Sequence, residues 1–213
     1  MSSALTTIGL LGGTFDPIHI GHLRPALDIK QAIGLDKLLL LPNHVPPHRD
    51  TPRATSAQRK KMVELAISGI VGLSVDDREL KHDKPSYTVD TLAELRADYP
   101  EASISFLMGM DSLRSLPSWH RWHELLDLAH IVVSHRPGWK PPTDGEAAEL
   151  LANYSAKPEV IREKKAGHII LVNAPQIDIS STRIRHLIKH HQDTSFLMPD
   201  AVKQYIEQLS LYR

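Results

Sequence analysis

The 213-residue sequence contains no cysteine. That absence excludes a disulfide framework, a thiolate zinc site and a thiol nucleophile. An excess of either charge is also missing, because 25 Lys and Arg residues balance 25 Asp and Glu residues. No bulk basic field draws nucleic acid or an anionic membrane, so any polyanion must be bound locally. No apolar stretch approaches the roughly 20 residues of a membrane span. The opening "MSSALTTIGLLGG" lacks both the basic region and the small-residue cleavage site of a signal peptide. The expectation is a cytoplasmic protein with neither nucleic acid nor membrane as a partner. Histidine, by contrast, occurs 13 times, and only spacing distinguishes working imidazoles from scattered surface and core ones.

The length suits one large domain or two small ones, and a single domain over residues 1–213 is the expectation. Strand-like apolar runs at 7–13, 37–41, 72–77, 103–109, 130–135 and 168–174 alternate with helical patterns. The helices are expected near 20–33, 57–68 and 88–98, with two more near 181–191 and 199–209. This alternation predicts an α/β fold: a doubly wound, Rossmann-like parallel sheet with helices on both faces, closed by C-terminal helices. Ser56 and Thr88 stand where helix caps are expected, and Pro100 stops the helix that Thr88 opens. Two segments, 42–55 and 137–167, break the rhythm, and long connections of this kind are often functional.

In an open parallel sheet the ligand crevice lies beyond the carboxyl ends of the strands, and Gly12 and Gly13 end the first one. Glycine permits a sharp turn and close approach of a phosphate, and the helix that follows offers unpaired N–H groups. His19 and His22, three residues apart in its first turn, point to the same side, with Gly21 leaving room between them. Glycines at a plain turn, with two incidental histidines, are one alternative. A metal pair is another, although it needs further ligands and no acidic partner sits at zincin-like spacing. In "ISSTRIRHLI", Ser180 and Thr182 can cap a helix from whose first turn Arg185 projects. Hydroxyls, free N–H groups and a guanidinium together suit a polyanion, though a capped basic helix is also a common structural feature.

The complete string "GGTFDPIHIGH" resembles the signature of the H-x-G-H nucleotidyltransferases, here His19, Ile20, Gly21 and His22. Ser180, Thr182 and Arg185 match the S-x-T-x-x-R element of the same superfamily. Further stretches, among them "LPNHVPPHR", "DRELKHDKPSYTVDTL", "FLMGMDSL", "LPSWHRW" and "VVSHRPG", are similar to bacterial nicotinate-nucleotide adenylyltransferases over nearly the whole chain. The resemblance implies adenylyl transfer from ATP to nicotinate mononucleotide, releasing pyrophosphate and using Mg²⁺ that bridges the ATP phosphates, with no metal ligands from the protein.

Carried over by resemblance, His19, His22 and Arg185 are the catalytic residues. Gly12, Gly13, Thr14, Phe15, Gly21, Gly109, Asp111, Ile179, Ser180 and Thr182 fall to ATP. Asn43, His44, His48, Tyr87, Thr88, Trp119 and Arg136 fall to the mononucleotide. Trp119 is expected to stack on the pyridine ring and the Tyr87–Thr88 turn to receive its carboxylate on backbone N–H groups. Two departures stand out: Arg49 replaces a frequent Lys, and His120 follows Trp119 where the family suggests Tyr. Rival readings are the same chemistry on nicotinamide mononucleotide or phosphopantetheine, a noncatalytic nucleotide sensor, and a histidine-rich metal binder.

Overall fold

The computed structural model describes residues 5–44, 52–81, 86–135, 141–175 and 177–213. Six strands, β1 (Thr7–Gly13), β2 (Lys37–Pro42), β3 (Leu73–Val75), β4 (Ser103–Gly109), β5 (His130–His135) and β6 (Ile169–Asn173), form one sheet. Its order is β3-β2-β1-β4-β5-β6. The β1–β4, β4–β5 and β5–β6 pairs are parallel, with Thr7 opposite Ser103, Ser105 opposite His130 and Ile131 opposite Ile169. The order reverses at the β1–β4 pair, as in doubly wound sheets that bind nucleotides beyond the carboxyl ends of their strands. β4, "SISFLMG", is buried along both faces as far as Met108, its two serines included, as expected of a central strand in a parallel sheet covered on both sides.

Eight α-helices are present among the described residues: α1 (Ile20–Ile33), α2 (Ser56–Ile67), α3 (Thr88–Asp98), α4 (Met110–Ser115), α5 (Leu125–Leu128), α6 (Gly145–Tyr154), α7 (Ser181–Lys189) and α8 (Asp200–Gln208). The expected cap at Ser56 is displaced by one residue. Thr55 Oγ1 accepts from Gln58 N at 3.2 Å while Gln58 Oε1 accepts from Thr55 N at 2.8 Å, a reciprocal capping box. The Ser56 hydroxyl instead accepts from the Arg59 guanidinium at 3.1 Å. Thr88 is the first helical residue of α3, not its cap, which is Tyr87. The segment 137–167 is not a long loop throughout, since it contains α6 and a 3₁₀ turn at Pro158–Arg162.

The chain divides into two compact units interleaved along the sequence. One comprises Met1–Leu11, Asp28–Leu38 and Tyr87–Pro175. Its core is built on Ile8, Leu10, Ile104, Leu107, Ile131, Val132 and Ile170, all buried. Arg96 secures the end of α3 by donating to the carbonyls of Ala102 (2.6 Å), Leu128 (2.8 Å) and Lys165 (2.8 Å). The other comprises Gly12–Leu27, Leu39–Ser86 and Gln176–Arg213. Leu40, Met62, Val63, Ile184, Val202 and Ile206 form its core, together with the fully buried Arg59.

Candidate active site

In the second unit the chain leaves β1 through Gly12 and Gly13, both of which are still strand residues. The sharp turn expected at the glycines comes two residues later, at Phe15, with φ 50° and a buried ring. That ring explains Gly13, because a Cβ there would lie 2.6 Å from Phe15 Cε1. The Thr14 carbonyl accepts from Arg59 Nη1 at 2.8 Å, so a buried guanidinium holds the turn from below. Burial lowers the Arg59 pKa and the charge of Asp16 opposes that effect.

His19 and His22 are brought together as the spacing predicts. His22 N and Leu23 N donate to the His19 carbonyl at 2.9 and 3.2 Å, opening α1. The two imidazoles stack, with centroids 3.7 Å apart, and the Phe15 ring meets His22 edge-on at 5.2 Å. His19 is only 3% exposed, and its Nδ1 has no hydrogen-bond partner. Burial lowers its pKa from 6.5 to about 4, so the imidazole is uncharged at neutral pH and donates a single N–H. Gly21 serves more than ligand clearance: a Cβ would sit 3.0 Å from His19 Nδ1 and 3.2 Å from the Ile179 carbonyl oxygen.

Ser180 caps α7, its hydroxyl accepting from Arg183 N at 3.2 Å. Thr182 lies inside the helix and does not cap; its hydroxyl accepts from Arg185 Nη2 at 3.2 Å. Arg185 Nη1 donates to the Asp16 carbonyl at 2.7 Å, and Ser181 Oγ donates to the Pro17 carbonyl at 2.9 Å. The start of α7 is thereby tied to the loop that carries the histidines. Asn43 N donates to the Gly13 carbonyl at 2.9 Å and its side chain to Glu79 Oε2 at 3.1 Å. His44 Nδ1 lies 3.2 Å from Ser56 Oγ.

Sequence reasoning overlooked Asp16, Arg59 and Tyr212. Asp16 is 4% exposed, and its carboxylate accepts from Arg53 N (2.9 Å), Ala54 N (3.1 Å) and Tyr212 Oη (2.7 Å). Burial, reinforced by the hydrogen bond to Asp16, raises the Tyr212 pKa. An acidic residue inside "GGTFDP" is the only signal the sequence offers; 196 residues separate Asp16 from Tyr212.

In the first unit Gly109 ends β4 and precedes α4, and Asp111 is exposed in the first turn of that helix. A Cβ on Gly109 would meet nothing within 4 Å, leaving its backbone face open. Tyr87 heads α3 and its own side chain makes no capping hydrogen bond, at the position where a helix turns its first N–H groups, that of Thr88 among them, toward an outside acceptor. The half-buried Trp119 has its ring 6.2 Å from Phe106, edge to face. His120, standing where Tyr is expected, packs its ring 4.4 Å from that of Tyr87. His48, Arg49 and Arg136 lie outside the described residues.

Among the described residues no three His, Asp or Glu side chains cluster closely enough to hold a metal ion, and no helix is long and apolar enough to cross a membrane.

The cytidylyltransferase-like family matches residues 10–187. A probable nicotinate-nucleotide adenylyltransferase of Aeromonas salmonicida is 54% identical over 207 residues, 97% of either chain. A protein of the same name from Cellvibrio japonicus is 50% identical over 97% of this chain and 99% of its own. Among solved structures, the Plasmodium falciparum nicotinic acid mononucleotide adenylyltransferase complexed with NaAD shares the fold, with a TM-score of 0.71 at 20% identity over 97% of both chains. With the H-x-G-H residues stacked at the head of α1 and the match covering all but the ends, this chain belongs to the nicotinate-nucleotide adenylyltransferase family of cytidylyltransferase-like proteins.

Proposed function

We propose that the chain transfers the adenylyl group of ATP to nicotinate mononucleotide, giving nicotinate adenine dinucleotide and pyrophosphate, a step of NAD biosynthesis. The observation that carries this reading is the His19–His22 stack, in which an uncharged, buried imidazole presents an unpartnered Nδ1. A 5′-phosphate oxygen of the mononucleotide attacks the α-phosphorus of ATP; the bond to the bridging oxygen breaks and pyrophosphate leaves. No protein nucleophile is needed, because positioning and charge stabilisation supply the rate. His19 and His22 donate to phosphate oxygens, while Arg185, Ser180, Thr182 and the Ile179 backbone hold the departing pyrophosphate.

Gly12, Gly13, Thr14, Phe15 and Gly21 form the phosphate-side backbone, and Gly109 and Asp111 receive the adenosine. On the acceptor, Trp119 stacks on the pyridine ring and the first-turn N–H groups at Tyr87 and Thr88 take its carboxylate; Asn43, His44, His48 and Arg136 complete the set. The Asp16 carboxylate is already occupied by three donors, and the histidine nitrogens are poor ligands for a hard cation. Mg²⁺ therefore enters as part of the ATP substrate, neutralising its phosphates. We also propose a single domain over the 213 residues, supported by one family match that extends from residue 10 to 187, and action in the cytoplasm, where ATP is at hand.

ATP labelled at the α-phosphate tests the chemistry. Label is expected in the dinucleotide and none in pyrophosphate; label in neither product overturns the reading.

A further inference from the structure

Asp16 is a buried carboxylate with an unusual set of neighbours. Oδ1 accepts from Tyr212 Oη at 2.7 Å and Ala54 N at 3.1 Å; Oδ2 accepts from Arg53 N at 2.9 Å. Arg185 Nη1 lies 3.7 Å from Oδ2, beyond a good hydrogen bond, while donating to the Asp16 backbone carbonyl at 2.7 Å. A buried carboxylate must be satisfied by donors, and a guanidinium is its preferred partner. Three neutral donors meet that need, and Arg185 is left in a longer ion pair with Oδ2, short of a direct hydrogen bond. Tyr212 is the only side chain among the three, and it is buried (8% exposed).

We propose that Tyr212 is a positioning residue that acts through Asp16 to keep the Arg185 guanidinium available to phosphate. The proposal rests on the assignment of Arg185 to the pyrophosphate-binding side of the reaction. Without the phenolic hydroxyl, Oδ1 loses its shortest bond and the carboxylate draws Arg185 from its 3.7 Å ion pair into a direct hydrogen-bonded one, away from the ligand. Tyr212→Phe keeps the ring and its packing and removes only that donor.

The test is inorganic pyrophosphate binding by the full chain, measured by calorimetry in the presence of Mg²⁺. Charge-assisted bonds of this kind are strong enough for Tyr212→Phe to weaken binding roughly tenfold. In an Arg185→Ala background the same substitution is expected to change nothing further, because the group it acts through is gone. An Asp16→Asn background, which removes the charge that would capture Arg185, is likewise expected to cancel the effect. Binding by Tyr212→Phe equal to that of the unmodified chain overturns the proposal. So does an equal loss in the Arg185→Ala background, the mark of a merely structural role, and so does an unmodified chain that binds no pyrophosphate. The readout involves no acceptor, so failure to make the dinucleotide would remove the acceptor assignment and leave this coupling standing.

Discussion

The imidazole rings of His19 and His22 lie face to face, 3.7 Å between centroids and 26° from parallel. One is buried and kept neutral, and the other is half-exposed and braced by the Phe15 edge. A neutral imidazole locked against a second ring loses little freedom when a phosphate arrives, which is the arrangement that favours a charge developing in the transition state.

His22→Ala removes one of these donors without opening the core, since His22 is only half-buried. Loss of a preorganised donor costs about 10² to 10³ in rate in comparable sites. Turnover is expected to fall at least tenfold, with an unchanged far-ultraviolet circular dichroism spectrum. A folded variant with near-normal turnover would remove His22 from the chemistry.

Gly21→Ala places a methyl group 3.0 Å from His19 Nδ1 and 3.2 Å from the Ile179 carbonyl. The ring can shift by tenths of an ångström; the backbone oxygen yields less readily. Stability is expected to drop by about 1 to 2 kcal/mol, with a turnover loss larger than that drop explains, measured by denaturant titration beside steady-state kinetics.

Trp119→Ala removes a flat face worth about 1 to 3 kcal/mol to a stacked heterocycle. The KM for the mononucleotide is expected to rise roughly 5- to 100-fold with the KM for ATP nearly constant. Trp119→Phe should recover part of the loss. Equal shifts in both constants would place Trp119 elsewhere.

Stability should depend on pH in a defined direction. Burial lowers the His19 pKa to about 4, and burial also brings His130 to about 4 despite its 2.9 Å hydrogen bond to the Lys164 carbonyl. Between pH 6.5 and 4 the unfolded chain therefore binds protons that the folded chain refuses, so stability is complete above 6.5 and falls as pH drops through this window. Each histidine contributes on the order of 3 kcal/mol to the decline. His130→Gln should flatten the pH dependence of the urea midpoint over this range; an unchanged slope would show that His130 is protonated in the fold.

The strands were readable where burial is continuous. In "SISFLMG" the serines alternate with apolar residues only at the start, and Ser103 and Ser105 are as buried as their neighbours because β4 is covered on both sides; α1 ends at Ile33, as the expected 20–33 helix requires, and Gly34 follows with φ 71°. Helices α4 and α5, six and four residues long, are too short to express a helical period. The Thr55–Gln58 capping box was present in the sequence, but the neighbouring Ser56 offered an equally plausible hydroxyl. In the candidate site, local spacing predicted the histidine pair and the Ser180 cap. The Asp16–Tyr212 bond leaves no local trace, because partners so distant along the chain meet only through the packing of a folded unit.

The most direct measurement offers the purified protein MgATP with nicotinate mononucleotide and nicotinamide mononucleotide at equal concentration, following both dinucleotides and pyrophosphate. Nicotinate adenine dinucleotide is expected as the main product, with one pyrophosphate released per dinucleotide. Turnover of the amide alone, or of neither acceptor, would contradict the proposed function.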